Sequence, residues 1–311
     1  MLFRSREPDH WISGLKDLTT HAEQTARIMV EAEKYFLEET PEIVLVCGDA
    51  NFNFACGVAA RKLRLTLGHV ESGLRSYDMR TPEEHNRRML DHISDFLFAP
   101  TNHSVETLER ENVPGTVIFT GNTVVDSLKI ALDKLSRDKT HRTLRKNYIL
   151  LTMHREENVD DINALRRIIE GLRKISDAMG IPIFYPAHPR TINRLKEFGL
   201  MEKMNKIVNV CPSLPYLDFI DGIKNAQLVL TDSGGVQEEA CSLQVPAVIL
   251  RKSTERPESL RVGASMLATE PDAILEAAKM MMVSPRLWAN PFDPFMDGNA
   301  AGRIVDALGL E

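Results

Sequence analysis

The segment Thr231-Asp-Ser-Gly-Gly-Val-Gln-Glu-Glu239 has the residue types and order of an anion-binding turn. An apolar run, 228–231, leads into Asp232-Ser233-Gly234-Gly235, and the residues after it favour a helix. A glycine pair at a strand-to-helix turn lets backbone N–H groups face an anion, and the helix N-terminus adds a partial positive charge. Ser233 brings a hydroxyl that can donate to a phosphate oxygen; the plainer reading makes it the helix N-cap. Glu239 lies more than one helical turn in, where a carboxylate can accept from ribose hydroxyls. Downstream, the run 246–250 ends in Arg251-Lys-Ser-Thr-Glu-Arg256, just past the C-terminal end of the neighbouring strand. Arg256 reads either as a phosphate or ribose partner or as part of a solvated charge run.

A second group of polar residues recurs at strand ends. Asp49 follows the run 43–47, and His69-Val-Glu71 ends the run 66–70 with Gly73-Leu-Arg75 behind it. Glu83 and Arg87 share one helix face at i, i+4 spacing. His154-Arg155 follows the run 148–153, and His188 sits in Pro186-Ala-His-Pro-Arg190 after the next strand. Each has a plain structural reading: Glu83 and Arg87 as a surface ion pair, Asp49 as a cap, the histidines as strand-end residues. Together they put Asp49, Glu71 and Glu83, the residue types for proton transfer at carbon or oxygen, on one half of the chain. The phosphate-type turn lies on the other. A divalent cation on the same carboxylates is the weaker reading, since there is no HExxH and no Cys/His cluster.

The elements that must position these groups alternate. Candidate strands are 43–47, 66–70, 96–99, 116–120, 148–153, 182–185, 207–210, 228–231 and 246–250. They are nearly continuous in apolar residues, as strands covered on both faces are. Thr20-His-Ala-Glu23 is a capping box opening a helix over 20–38. Residues 160–179 put Ile162, Leu165, Ile168, Ile169 and Leu172 on one helical face. The pattern implies an α/β fold of two Rossmann-like domains with parallel sheets. The charged stretch 134–147 places the boundary, giving domains 1–140 and 141–311. The last helix, about 299–308, is expected to pack back on the first domain. The first half opens on a loop and a helix, whereas a doubly wound domain opens on a strand and a ligand-binding turn. The expectation is of a first domain without that opening unit, truncated at its N-terminus.

Composition excludes some functions. With 311 residues, a net charge of −6 and a pI of about 5.9, there is no basic excess to neutralise a nucleic-acid backbone. No apolar run is long enough to span a membrane, and the first residues lack a signal-peptide h-region. Cys47, Cys56, Cys211 and Cys241 form no CxxC pair and lie in or beside apolar runs. They read as reduced core residues of a cytoplasmic protein.

Several longer motifs resemble one family. HVESGLRS (69–76), TPEEHNRRMLDHISD (81–95), FAPT (98–101), FTGNTVVD (119–126), HREENVD (154–160), YPAHPR (185–190), TDSGGVQEEA (231–240) and TERPE (254–258) resemble the non-hydrolysing UDP-N-acetylglucosamine 2-epimerases, in order from about residue 20 to 304. The resemblance implies two facing Rossmann-like domains of glycosyltransferase-B type and interconversion of UDP-GlcNAc and UDP-ManNAc. It implies no nicotinamide cofactor and no required metal, and a homodimer. It matches Asp49, Glu71 and Glu83 to acid/base carboxylates and His154 to a cleft histidine near the leaving diphosphate. Arg87 matches a substrate-cleft arginine. Ser233, Gly234 and Gly235 match the diphosphate turn, Glu239 the ribose acceptor, and Arg256 a further UDP contact. Phe219, with backbone near Leu214, matches the uracil pocket, and His188 a position near the cleft linked to a second, regulatory nucleotide sugar. Two departures stand out. The family's opening GTRPE-type turn has no counterpart here, and Asp49 is followed by Ala50-Asn51 where the family has Thr. The other readings are a UDP-sugar binding module without turnover, and a different glycosyltransferase-B enzyme, against which the carboxylates of the first half argue.

Overall fold

The structure, a computed structural model, describes residues 7–15, 18–138 and 147–310. Contacts divide the chain into two compact units, Met1–Thr123 with Pro294–Glu311, and Val124–Asp293.

The first unit begins with α1 (His21–Glu39), whose capping box forms: the Thr20 hydroxyl accepts from Glu23 N–H while the Glu23 carboxylate accepts from Thr20 N–H. There follow β1 (Ile43–Cys47), α2 (Asn51–Lys62), β2 (Thr66–Val70), α3 (Pro82–Ile93), β3 (Phe96–Ala99), α4 (Asn102–Arg110) and β4 (Thr116–Phe119). The strands form a parallel sheet in the order β1-β2-β3-β4. In β1 the burial alternates, with Val44 and Val46 inside and Leu45 and Cys47 exposed. The expectation of strands covered on both faces, and of four core cysteines, is therefore corrected here. β1 lies at the sheet edge and only one of its faces packs, so the period-2 geometry turns Cys47 outward.

The second unit begins with α5 (Thr123–Arg137). It continues through β5 (Ile149–Thr152), α6 (Glu156–Val159), α7 (Ile162–Met179), β6 (Ile183–Ala187), α8 (Pro189–Glu197), α9 (Met201–Asn205), β7 (Asn209–Pro212), α10 (Tyr216–Asn225) and β8 (Leu228–Thr231). It ends with α11 (Gly234–Ser242), β9 (Ala247–Ile249), α12 (Pro257–Arg261), β10 (Ser265–Leu267) and α13 (Pro271–Val283). A further helix, α14 (Ala300–Leu308), belongs to the first unit, where Ile304 packs with Val70 and Phe98. The contact division falls ahead of the 140/141 boundary read from the sequence. Leu128 and Ala131 of α5 pack with Tyr148, Leu150 and Ile220, so this helix shares the core of the second unit. Residues 139–146, the centre of the charged stretch, lie outside the described residues.

The second sheet has the order β10-β9-β8-β5-β6-β7, all parallel. Counted from β5, this is the doubly wound order 3-2-1-4-5-6. Alternate residues of the strands feed two cores. Ile149, Leu151, Leu230 and Val248 pack under the apolar stripe of α7, Leu165, Ile168, Ile169 and Leu172. Leu150, Val229 and Ile249 pack on the other face. Each such fully buried aliphatic side chain contributes about 1.5–3 kcal/mol, so this double-sided core fixes the strand ends that carry the polar turns. The order reverses between β5 and β8, and the C-terminal ends flanking such a switch point are where ligands of these sheets bind.

Candidate functional site

The turns after β5 and β8 meet at the switch point. The Asp232 carboxylate is fully buried and accepts from the backbone N–H of His154 and Arg155 at 3.0–3.1 Å and from Asn158 Nδ2 at 3.0 Å. A carboxylate with that many donors is a fixed cap, so Asp232 locks the two turns together. It also lies 3.7 Å from His154 Nδ1. The His154 side chain is about half exposed. Burial pulls its imidazole below the usual histidine range; Asp232 opposes this, while Arg155, His188 and Arg190 add to it. The cationic form of His154 is thus disfavoured in the free protein, and an incoming anion favours it.

Ser233 occupies the N-cap position of α11, but its side chain makes no cap bond, so the plain capping reading does not hold. The Thr231 hydroxyl accepts from Ser233 N–H at 3.0 Å instead. The Ser233 hydroxyl and the first N–H groups of α11, which lack intrahelical partners, remain for a ligand. Gly234 is required by close approach: a Cβ there would lie 2.4 Å from Arg256 Nη1 and 2.7 Å from Glu255 Oε1. Gly235 faces open space. Arg256 is buried, with Nε 2.6 Å from Glu238 and Nη1 2.5 Å from Glu255. Its guanidinium therefore backs the turn, held by two carboxylates, which corrects the reading of it as a member of a solvated charge run. Glu255 is a hub that also pairs with Arg251 and Arg155.

Glu239, one turn further into α11, is buried. Burial pushes its carboxyl up to about 7, against the lowering effect of the Tyr216 hydroxyl, which donates to Glu239 Oε1 at 2.9 Å. Tyr216 opens α10, and Phe219 lies half-buried in the same first turn. Leu214 sits in the loop just before, also half-buried. The sequence reading named Phe219 and Leu214 but passed over Tyr216. Its spacing of three from Phe219 on one helical face was the available signal. His188 caps α8, its Nδ1 accepting from Arg190 N–H at 3.2 Å.

The carboxylates of the other group lie in the first unit. Asp49 Oδ2 accepts from Arg87 Nε at 2.9 Å and Nη2 at 2.5 Å, and Arg87 Nη1 donates to Glu84 at 2.6 Å. The N-cap of α2 is Ala50, so Asp49 is not a cap. Arg87 pairs with Glu84 and not with Glu83, which makes no hydrogen bond or ion pair among the described residues. The surface-pair reading is thus replaced by a buried one: Glu84 is fully buried, and Arg87 is 4% exposed. Sequence reasoning missed Glu84. Glu83 sits half-buried in the first turn of α3. Glu71 has φ 66°, the left-handed region where non-glycine residues are strained, and its Oε2 lies 3.7 Å from where a Cβ on Gly48 would be. The Glu71 carboxylate therefore stands over the turn that carries Asp49. No cluster able to hold a metal ion occurs among the described residues.

The family model for UDP-N-acetylglucosamine 2-epimerase matches residues 2–309. The chain belongs to that family. This epimerase-family chain is 43% identical over 299 residues to the UDP-N-acetylglucosamine 2-epimerase of Methanococcus maripaludis, covering 93% of the chain and 81% of the relative. It is 37% identical to the UDP-2,3-diacetamido-2,3-dideoxy-D-glucuronate 2-epimerase of Pseudomonas aeruginosa, over 93% of the chain and 80% of the relative. Among solved structures, that of Methanocaldococcus jannaschii UDP-GlcNAc 2-epimerase in complex with UDP-GlcNAc and UDP matches with a TM-score of 0.89 at 42% identity, covering 94% of this chain and 82% of that one. The fold is the glycosyltransferase-B type that the motifs implied. No helix among the described residues is long and apolar enough to cross a membrane.

Proposed function

We propose that the protein interconverts UDP-N-acetylglucosamine and UDP-N-acetylmannosamine. The observation that carries the reading is the occurrence, in a chain of this family, of an open glycine turn at a Rossmann switch point and of a strand-end carboxylate, Asp49, held by the buried Arg87. The C2 proton of a sugar is barely acidic, so direct deprotonation is a poor route. A carboxylate takes that proton while the C1–O bond to UDP breaks, leaving UDP and a 2-acetamidoglucal. A proton then adds at C2 from the opposite face while a UDP oxygen re-forms the bond at C1, so every atom is returned. Asp49, Glu71 and Glu83 are the acid/base groups of this reading. Arg87 orients Asp49 and the sugar. The N–H groups of Gly234 and Gly235 and the Ser233 hydroxyl hold the diphosphate, and His154, protonated as the anion arrives, stabilises it as leaving group. Glu239 accepts from the ribose, Phe219 and the Leu214 backbone receive the uracil, and Arg256 fixes the turn from behind. His188 borders the same strand ends.

Nothing in the route needs a redox cofactor or a metal. A homodimer and a cytoplasmic setting accompany the reading, on the family resemblance and on four free cysteines. The test is incubation with UDP-GlcNAc in deuterated water. UDP-ManNAc carrying deuterium at C2 is the expected product; a nucleotide sugar that stays bound and keeps its C2 proton contradicts the proposal. UDP-2,3-diacetamido-2,3-dideoxy-D-glucuronate, run in parallel, separates this substrate from that named for the Pseudomonas relative.

A further inference from the structure

Beside the carboxylates of the first unit lies a second, buried cluster of titratable groups. His69 and Asp91 are both 0% exposed and Arg75 is 3% exposed. His69 Nδ1 lies 2.7 Å from Asp91 Oδ1, and its Nε2 lies 3.2 Å from the Gly48 carbonyl oxygen. Both ring nitrogens thus lie against oxygen atoms, one of a side chain and one of the backbone. Asp91 Oδ2 accepts from Gly73 N–H at 3.2 Å and lies 2.7 Å from Arg75 Nη2. Arg75 in turn pairs with Glu111 at 2.7 Å. The Arg75 guanidinium thus sits between two carboxylates, Asp91 and Glu111. Burial alone would raise the Asp91 carboxyl, but His69 and Arg75 overcome that and hold it below the usual range.

His69 and Asp91 are closed off from solvent, and both reach backbone groups. Gly48 at φ 78° precedes Asp49, and Glu71 at φ 66° precedes Ser72 and Gly73. Glycine adopts such a conformation freely, but a glutamate keeps it only where its surroundings over-determine it. His69 reaches one turn through the Gly48 carbonyl, and Asp91 reaches the other through Gly73 N–H. One buried pair thus ties together the two turns that carry Asp49 and Glu71.

We propose that His69 and Asp91 are positioning residues that set the placement of Asp49 and Glu71 for proton transfer. The inference rests on the proposed role of those two carboxylates. Misplacing a reacting group by about 1 Å costs on the order of 100-fold in rate, which gives the buried pair its leverage.

The test uses two isosteres on the full chain. His69→Gln puts an amide donor near the position of Nε2 and keeps the Gly48 bond. His69→Asn puts it near Nδ1 and keeps only the Asp91 bond. Expected for His69→Asn is a kcat about 100-fold down, with KM and the UDP dissociation constant within threefold, and faster amide exchange over residues 48–51. Expected for His69→Gln is rescue of both, to within about tenfold in kcat. Equal behaviour of the two variants, or a KM rise with kcat unchanged, overturns the proposal. Should His69→Asn fail to fold, judged by lost UDP binding, Asp91→Asn takes its place. It keeps an acceptor for Gly73 N–H but loses the charge that holds His69, and unchanged kcat and exchange in it overturn the proposal equally. Asp49→Asn is the control for the underlying reading. If that variant keeps full kcat, the acid/base role of Asp49 falls, while the amide-exchange comparison, which needs no turnover, still judges the positioning claim on its own.

Discussion

The two polar regions of this chain are organised by opposite means. At the β5/β8 switch point the groups proposed to meet the ligand are backbone N–H, the Ser233 hydroxyl without a cap bond and His154, and the buried Arg256 ion pairs stand behind the turn. In the first unit Asp49 is itself part of an ion-pair network with Arg87 and Glu84, and a second network around Asp91 supports the turns. A site that only has to hold a diphosphate can rely on helix geometry, which is set by the fold. A site that has to move a proton at carbon needs carboxylates in one orientation, and buried ion pairs impose orientation at a cost in desolvation.

That contrast predicts which substitutions hurt what. Asp49→Asn removes one of the proposed proton-transfer groups and weakens the ion pair with Arg87. Its kcat falls by about 100-fold or more, the scale of general acid–base catalysis, while UDP affinity by calorimetry stays within threefold. A comparable loss of UDP affinity would dissolve the distinction between the regions.

Gly234→Ala is the mirror case. Its Cβ would meet the Arg256 guanidinium at 2.4 Å, and that side chain is pinned by Glu238 and Glu255. Overpacking of this kind costs about 1–3 kcal/mol, so UDP binding weakens about tenfold and thermal denaturation moves down. A Gly235→Ala variant, whose Cβ meets nothing within 4 Å, leaves the melting temperature unchanged and so calibrates the clash.

Glu239 sharpens the comparison through pH. Its folded-state value of about 7 lies above that of an exposed glutamate, so it favours the folded protein fully below the ordinary carboxylate range and loses that contribution as pH rises through about 7. Ribose hydroxyls favour the carboxylate form, so UDP binding releases a proton near pH 7 and tightens as pH rises. Glu239→Gln matches wild type at pH 5.5, roughly a unit and a half below the folded value, and binds about five- to tenfold more weakly at pH 8.5, the gap between a neutral and a charge-assisted hydrogen bond. Parallel pH curves for the two proteins contradict the assignment. Tyr216→Phe has the smallest effect. Removing the hydroxyl that lowers the Glu239 carboxyl moves the midpoint of that pH dependence upward and weakens UDP binding about two- to threefold at pH 7, a loss on the order of one neutral hydrogen bond or less.

The contrast also explains what the sequence could show. Strands covered on both faces announce themselves as apolar runs, and 228–231, 66–70 and 96–99 match the observed strands. The three-residue β10 does not, since Ser265–Leu267 is too short and too polar at its start to carry a pattern. The anion turn was legible because glycine pairs at strand-to-helix junctions have a local geometric meaning. The carboxylate network was only half legible. Asp49, Glu71 and Arg87 stood at informative places, but the partners Glu84 and Asp91 are charged residues on a helix that also carries the exposed His85 and His92. Asp91 is held by His69, 22 residues away, and Glu84 by Ser76 and Tyr77 of the preceding loop together with Arg87, pairings that no local period encodes. The unit boundary was obscured for a related reason: α5 ends in charge like a linker yet packs Leu128 and Ala131 into the second unit.

The most direct test of this division is made on Glu71→Gln, with C2 deuterium incorporation and UDP affinity measured on the same sample in deuterated water. The account predicts wild-type UDP binding, within threefold, and deuterium incorporation reduced by about 100-fold or more. Wild-type incorporation, or loss of UDP binding in step with loss of exchange, would contradict it.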